Sequence, residues 1–170
     1  MKSLYVVRHG EAAYTSAAGD HGRPLTPRGA RCAGELGVML QRLGEAPDQL
    51  LSSDALRASA TAELARSSGG WVAGVEHDPD LYLAPPAGLM AAARAAHAGA
   101  SRLVVVAHQP GLSDWVGQLL GAPGPRFAPG TVARVDLDLA EWGALGPGCG
   151  ELLWCVGPGE AAAFGGSPGG

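Results

Sequence analysis

The run Arg102, Leu103, Val104, Val105, Val106, Ala107 constrains the fold more than any other stretch of the chain. It is apolar without alternation and β-branched, the pattern of a strand covered on both faces, as the central strands of parallel sheets are. Parallel neighbours require crossover connections, usually helical. Residues 3–8 read as a second such strand, ending at Arg8, and Leu50 to Ser53 as a third, shorter one. Between them lie helical stretches. Thr26 suits a helix cap and Pro27 the first helical position, where a missing N–H costs nothing. The helix is predicted to run to about Leu43, with Ala33, Leu36, Leu40 and Leu43 on one face. Ser53 or Asp54 is expected to cap a helix over about 55–67, and further helices are expected over 86–98 and from Leu112 to Leu120. Trp71 to His77 predicts a weaker strand. Val132 to Leu139 alternates apolar and polar, and Glu151 to Val156 closes the series; both suit antiparallel positions at or near an edge. The sum is an α/β fold, a three-layer α/β/α sandwich with a mostly parallel central sheet.

A chain of 170 residues fits one compact domain. That domain is expected to span 1–156, followed by a Gly/Pro/Ala-rich, loosely held tail over 157–170. The net charge of -4 speaks against a general nucleic-acid or acidic-membrane surface. No apolar run is long enough to cross a membrane, and Leu4 to Val7 is too short for a signal-peptide core, so a cytoplasmic location is expected. Cys32, Cys149 and Cys155 form no metal-like cluster and read as buried, inert thiols. Lys2 is the only lysine, so an arginine carries meaning here only through its position.

Ligands of open parallel sheets bind outside the carboxyl ends of the strands. Three such ends carry unusual groups: Arg8 and His9 after the first strand, Ser52 to Arg57 after the second, and His108 after the central one. Planar guanidinium groups hold phosphate by bidentate contacts and stay charged. A neutral imidazole is a competent nucleophile toward phosphorus, and neighbouring arginines disfavour its protonated form. Gly10 lets the backbone approach an anion, and helix starts add partial positive charge. Such a phosphate site needs no metal, because arginines stabilise the charge. Taken singly, each histidine reads as a satisfied structural residue and Arg57 as a residue on a helix surface. Their joint occurrence at strand ends is what points to a phosphate site.

Three segments then carry a family resemblance: Arg8, His9, Gly10, Glu11; Leu51 through Ala62, including Ser52, Asp54 and Arg57; and Val105, Val106, Ala107, His108. In this order and spacing they resemble the histidine phosphatase, or phosphoglycerate mutase-like, superfamily, over nearly the whole chain to about residue 156. Arg23 through Gly29, the pattern Ala107, His108, Gln109, Pro110, and the fifty residues between Arg57 and His108 resemble the SixA-type phosphohistidine phosphatases. So short a span leaves nothing for a lid, which predicts an open pocket that admits a phosphohistidine on another protein. The resemblance implies that His9 takes the phosphoryl group, that Arg8 and Arg57 bind its oxygens, and that His108 donates a hydrogen bond to it. Arg23 is either a third phosphate cation or half of a loop salt bridge, and Glu11 is expected to shape its loop. Many members carry a clear acid, some directly after the second histidine, where this chain has Gln109. Asp80 stands roughly where others place that acid, and reads equally as a turn residue beside Pro79. A weak acid disfavours alkyl phosphates, whereas phosphohistidine has a labile P–N bond. The implied function is hydrolysis of protein phosphohistidine through a covalent phosphohistidine intermediate, without metal or cofactor. A small-molecule phosphomonoesterase and a non-catalytic phosphate-binding module are the alternatives.

Overall fold

The computed structural model describes residues 1–164. Strands β1 (Lys2–Arg8), β2 (Gln49–Ser53), β3 (Val75–Asp78), β4 (Arg102–Ala107), β5 (Val132–Leu137) and β6 (Gly150–Val156) form one sheet in the order β3-β2-β4-β1-β5-β6. The first four are mutually parallel, while β5 runs antiparallel to β1 and β6 antiparallel to β5. Helices α1 (Pro27–Arg42) and α2 (Leu56–Gly69) cover one face, and α3 (Pro86–Arg94) and α4 (Gly111–Leu120) the other.

The pleat of β1 explains why a continuous apolar run is needed. Leu4 and Val6 enter the core under α3 and α4, and Tyr5 and Val7 the core under α1 and α2. Val104 and Val106 of β4 repeat the division against Leu103 and Val105. The expected sandwich and its mostly parallel sheet are therefore present, with the antiparallel strands at one edge.

Boundaries moved where tertiary contacts outweigh local signals. Thr26 caps α1 as expected, its Oγ1 accepting from the Gly29 N–H at 3.1 Å. Helix α2 instead starts after Ala55, which has no side-chain cap, and Ser53 Oγ accepts the Ala55 N–H from outside the helix. Strand β3 begins only at Val75, because Trp71 is buried in the core and its N–H is tied to the Arg66 carbonyl. Helix α3 stops at Arg94 instead of reaching 98, and the His97 N–H turns aside to Gln49 Oε1. The thiols are less buried than expected: Cys155 is exposed on the edge strand β6, and Cys32 and Cys149 are half-buried.

The expected tail divides. Residues 157–164 turn back on the domain, where Ala161 is buried in the core beside α1 and α2, and Phe164 packs on Trp154 with ring centroids 5.2 Å apart. Residues 165–170 lie outside the described residues. Among the described residues, no helix is long and apolar enough to cross a membrane.

Candidate active site

The strand order places the carboxyl ends of β2, β4 and β1 side by side, with Arg8 opposite Ala107 and Ser52 opposite Val106. His9, Arg57 and His108, widely separated in sequence, therefore meet at one rim of the sheet. Arg8, His9, Arg57 and His108 line a cleft of about 650 Å³, together with Asp20, Arg23, Leu83, Gln109 and the stretch Glu11 to Tyr14.

The loop carrying His9 is fixed from several sides. The His9 N–H donates to the Ala107 carbonyl at 3.3 Å, and the Gly10 N–H to Thr61 Oγ1 of α2 at 2.9 Å. Gly10 lies against the start of α1, where a Cβ would come within 2.8 Å of the Gly29 carbonyl oxygen. Glu11 closes the loop, taking the Thr26 hydroxyl on Oε1 at 2.8 Å and the Thr26 N–H on its carbonyl at 2.9 Å. Glu11 thus shapes the loop, as expected.

The imidazole tautomers follow from their partners. His9 Nδ1 lies 2.8 Å from the Gly10 carbonyl, which can only accept, so Nδ1 carries the proton and Nε2 keeps its lone pair. Arg57 Nε donates toward that Nε2 at 3.3 Å, and Arg57 Nη2 lies 3.4 Å from His108 Nδ1. Because a guanidinium only donates, His108 Nδ1 accepts and its Nε2–H donates to Ser53 Oγ at 2.8 Å. The two rings stand 5.1 Å apart. Burial pushes the His9 pKa from the usual 6.5 down to about 4, with Arg57, Arg8 and Arg23 adding to the effect against the Gly10 bond. Burial likewise lowers His108 to about 3, reinforced by His9 and Arg57. Both rings are neutral at pH 7, and exclusion from water is the largest single cause.

Arg57, only 2% exposed, is held by three sets of partners. Beyond the histidines, its Nη1 donates to the Asp20 carbonyl at 2.8 Å and its Nη2 to Asp20 Oδ2 at 3.2 Å. Arg8 Nη1 donates to the Phe127 carbonyl at 2.8 Å, while its Nε is buried without a partner. Arg23 lines the cleft and forms the loop salt bridge, Nε to Asp20 Oδ1 at 2.9 Å.

The structure does not bring Asp80 to this cleft. It sits exposed in a short 3-10 turn, where its N–H donates to Asp78 Oδ1 at 2.9 Å: the turn position, not the acid position. The carboxylate beside Arg57 is Asp20, which sequence reasoning missed. Asp20 accepts a short hydrogen bond from Tyr82 Oη, and that bond, then Arg57 and Arg23, hold its carboxyl down at about 2. Tyr82, also missed, stands nearly perpendicular to the His108 ring with centroids 5.6 Å apart and lies 5.9 Å beneath the Arg57 guanidinium. Only the Asp-x-x-Arg spacing of Asp20 to Arg23 marked that loop in sequence. Among the described residues, no three His, Cys, Asp or Glu side chains are grouped to hold a metal ion.

Known proteins resemble this chain along most of its length. The model of the histidine phosphatase superfamily (branch 1) matches residues 4–82. An uncharacterized protein of Mycobacterium tuberculosis is 31% identical over 156 residues, covering 86% of this chain and 96% of that protein. A solved structure from Nakamurella multipartitia, assigned as phosphohistidine phosphatase SixA, superposes with a TM-score of 0.77 at 28% identity and covers 92% of this chain and 96% of that one. The protein histidine phosphatase SixA solved with tungstate gives 0.75 at 27% identity, covering 92% and 97%. A mycobacterial glucosyl-3-phosphoglycerate phosphatase, at 18% identity and a TM-score of 0.62 over 91% and 98%, shares the fold.

Proposed function

The chain belongs to the histidine phosphatase superfamily and is a phosphatase, and on that premise we propose that it hydrolyses phosphohistidine on proteins through a phosphoryl group carried by His9. His9 Nε2, unprotonated and turned toward Arg57 with its ring held through Nδ1, attacks phosphorus as the P–N bond of the substrate breaks. The leaving imidazole nitrogen takes a proton from solvent. Arg8 and Arg57 hold the phosphoryl oxygens, with Arg23 as a third cation at the cleft wall. The arriving negative charge favours protonation of His108, whose Nδ1–H then donates to an oxygen while Nε2–H stays on Ser53. Water attacks the phosphoryl group in the second step, the bond from His9 Nε2 to phosphorus breaks, and phosphate leaves. The tungstate held by one SixA neighbour fits an anion site of this kind.

One observation carries the choice of substrate. The carboxylate beside the phosphate cations, Asp20, is engaged by Arg57, Arg23 and the Tyr82 hydroxyl, which favour its ionised form, and an anion does not protonate an alkoxide. Esters of poor leaving groups are therefore disfavoured, whereas an imidazole leaves readily. The connection from Arg57 to His108 supports the same reading. It is used up by the rest of α2, β3, a 3-10 turn, α3 and β4, and of its residues Leu83 alone lines the cleft.

The test incubates the protein with a phosphohistidine-bearing protein and, separately, with para-nitrophenyl phosphate, beside His9→Ala and in the presence of a chelator. His9-dependent loss of phosphohistidine with slow ester turnover is the expected result. Efficient ester hydrolysis would move the assignment to a small-molecule phosphatase. Absence of turnover and of a phosphorylated His9 would leave a phosphate-binding module.

A further inference from the structure

Leu83 is the one non-glycine residue among those described with a positive φ, at 50°. That region costs an ordinary L-residue on the order of 1–2 kcal/mol and suits glycine or asparagine. A branched apolar side chain is therefore kept where the backbone alone favours another residue. Packing does not explain it, because Leu83 is 56% exposed. What its side chain does is line the mouth of the cleft, next to Tyr82, whose ring packs perpendicular to that of His108. A second large side chain stands at the same mouth from a different loop: Tyr14, 98% exposed, follows the His9 loop.

We infer that Leu83 and Tyr14 are specificity-determining residues that grip the polypeptide on either side of the substrate phosphohistidine, selecting apolar neighbours. This rests on the phosphohistidine phosphatase reading and deepens it. With the phosphoryl group at the floor, against His9 and the arginines, whatever touches the mouth is the part of the substrate just beyond its imidazole. The hydroxyls of a small sugar phosphate gain nothing from leucine there. An apolar residue of a protein substrate does, because contact removes both surfaces from water. Neither side chain takes part in phosphoryl transfer, so both act on recognition alone.

The test compares two synthetic phosphohistidine peptides, one flanked by leucine and alanine, the other by serine and glycine, together with free phosphohistidine. The wild-type protein is expected to favour the apolar peptide about tenfold in kcat/KM, the worth of burying one such side chain. Leu83→Asn, which suits the left-handed backbone, and Tyr14→Ser are each expected to lower that ratio by about threefold or more. Cooperative thermal unfolding of both variants serves as the check on folding, and the ratio is insensitive to the amount of folded enzyme. A wild-type ratio near one, or ratios unchanged in both variants, overturns the rim assignment while leaving the phosphatase reading intact. Turnover of free phosphohistidine with neither peptide dephosphorylated overturns the protein-substrate reading and this inference with it.

Discussion

Arg57 donates toward both imidazoles and to Asp20 at once, so one guanidinium links these groups in a single hydrogen-bond network. An incoming phosphate has to displace the Asp20 carboxylate from Nη2 of Arg57, and Asp20 also occupies Arg23. Asp20→Asn keeps the shape and an acceptor for Tyr82 but removes the competing charge. Because Asp20 is half exposed and its pairs are screened, the expected gain is modest: phosphate or tungstate binding about fivefold tighter, about 1 kcal/mol, by calorimetric titration. Unchanged or weaker binding would instead assign Asp20 to positioning Arg57. At this scale the sequence was legible for Arg8, His9 and His108 at strand ends and for Arg57 in the helix start that follows one, because a strand end has a known address. Asp20 and Tyr82 lie in irregular connections and reach Arg57 only through the fold. Of the two readings of Asp80 the structure gives the turn: its N–H bonds Asp78 Oδ1 and it is not among the residues lining the cleft.

Among the elements, contacts through glycine hold α1 against its neighbours. A Cβ on Gly29 would fall 2.1 Å from the Glu11 carbonyl oxygen, and one on Gly37 would fall 1.9 Å from the Ala65 carbonyl oxygen of α2. Both obstacles are backbone, so neither can swing aside. Gly29→Ala and Gly37→Ala are each expected to destabilise by about 1–3 kcal/mol, read as a lower denaturant midpoint. They separate in activity. Gly29→Ala pushes on the loop that aims His9 and lowers kcat about tenfold or more, whereas Gly37→Ala, between two helices, leaves kcat of the folded protein unchanged. Equal kcat in both variants would show that the His9 loop absorbs the shift elsewhere. The helices and central strands were readable from periodicity and caps. Their ends were not, because Trp71 and Gln49 draw the adjoining backbone into contacts that no local pattern encodes.

For the molecule as a whole, two neutral buried histidines tie stability to pH. Their folded pKa values, about 4 and about 3, lie below the usual 6.5 of the unfolded chain. Between those limits the unfolded state binds more protons, so this contribution is complete above pH 6.5 and is lost as pH falls toward 3, levelling off below. The melting temperature is expected to drop by about 5 °C or more between pH 7 and pH 4.5, and His108→Asn to flatten that slope. A wild-type profile flat across this range would mean that the rings are not held neutral by burial. The sequence by itself determined the layered α/β architecture, since continuous apolar strands between amphipathic helices leave few other ways to bury both faces. It also determined which strand ends carry the histidines and arginines. Only the tertiary structure decided which carboxylate joins them, which nitrogen of each imidazole carries the proton, and that residues 157–164 fold back to bury Ala161. These depend on distances between segments remote along the chain, and a pattern read along one chain holds no record of what lies across the cleft.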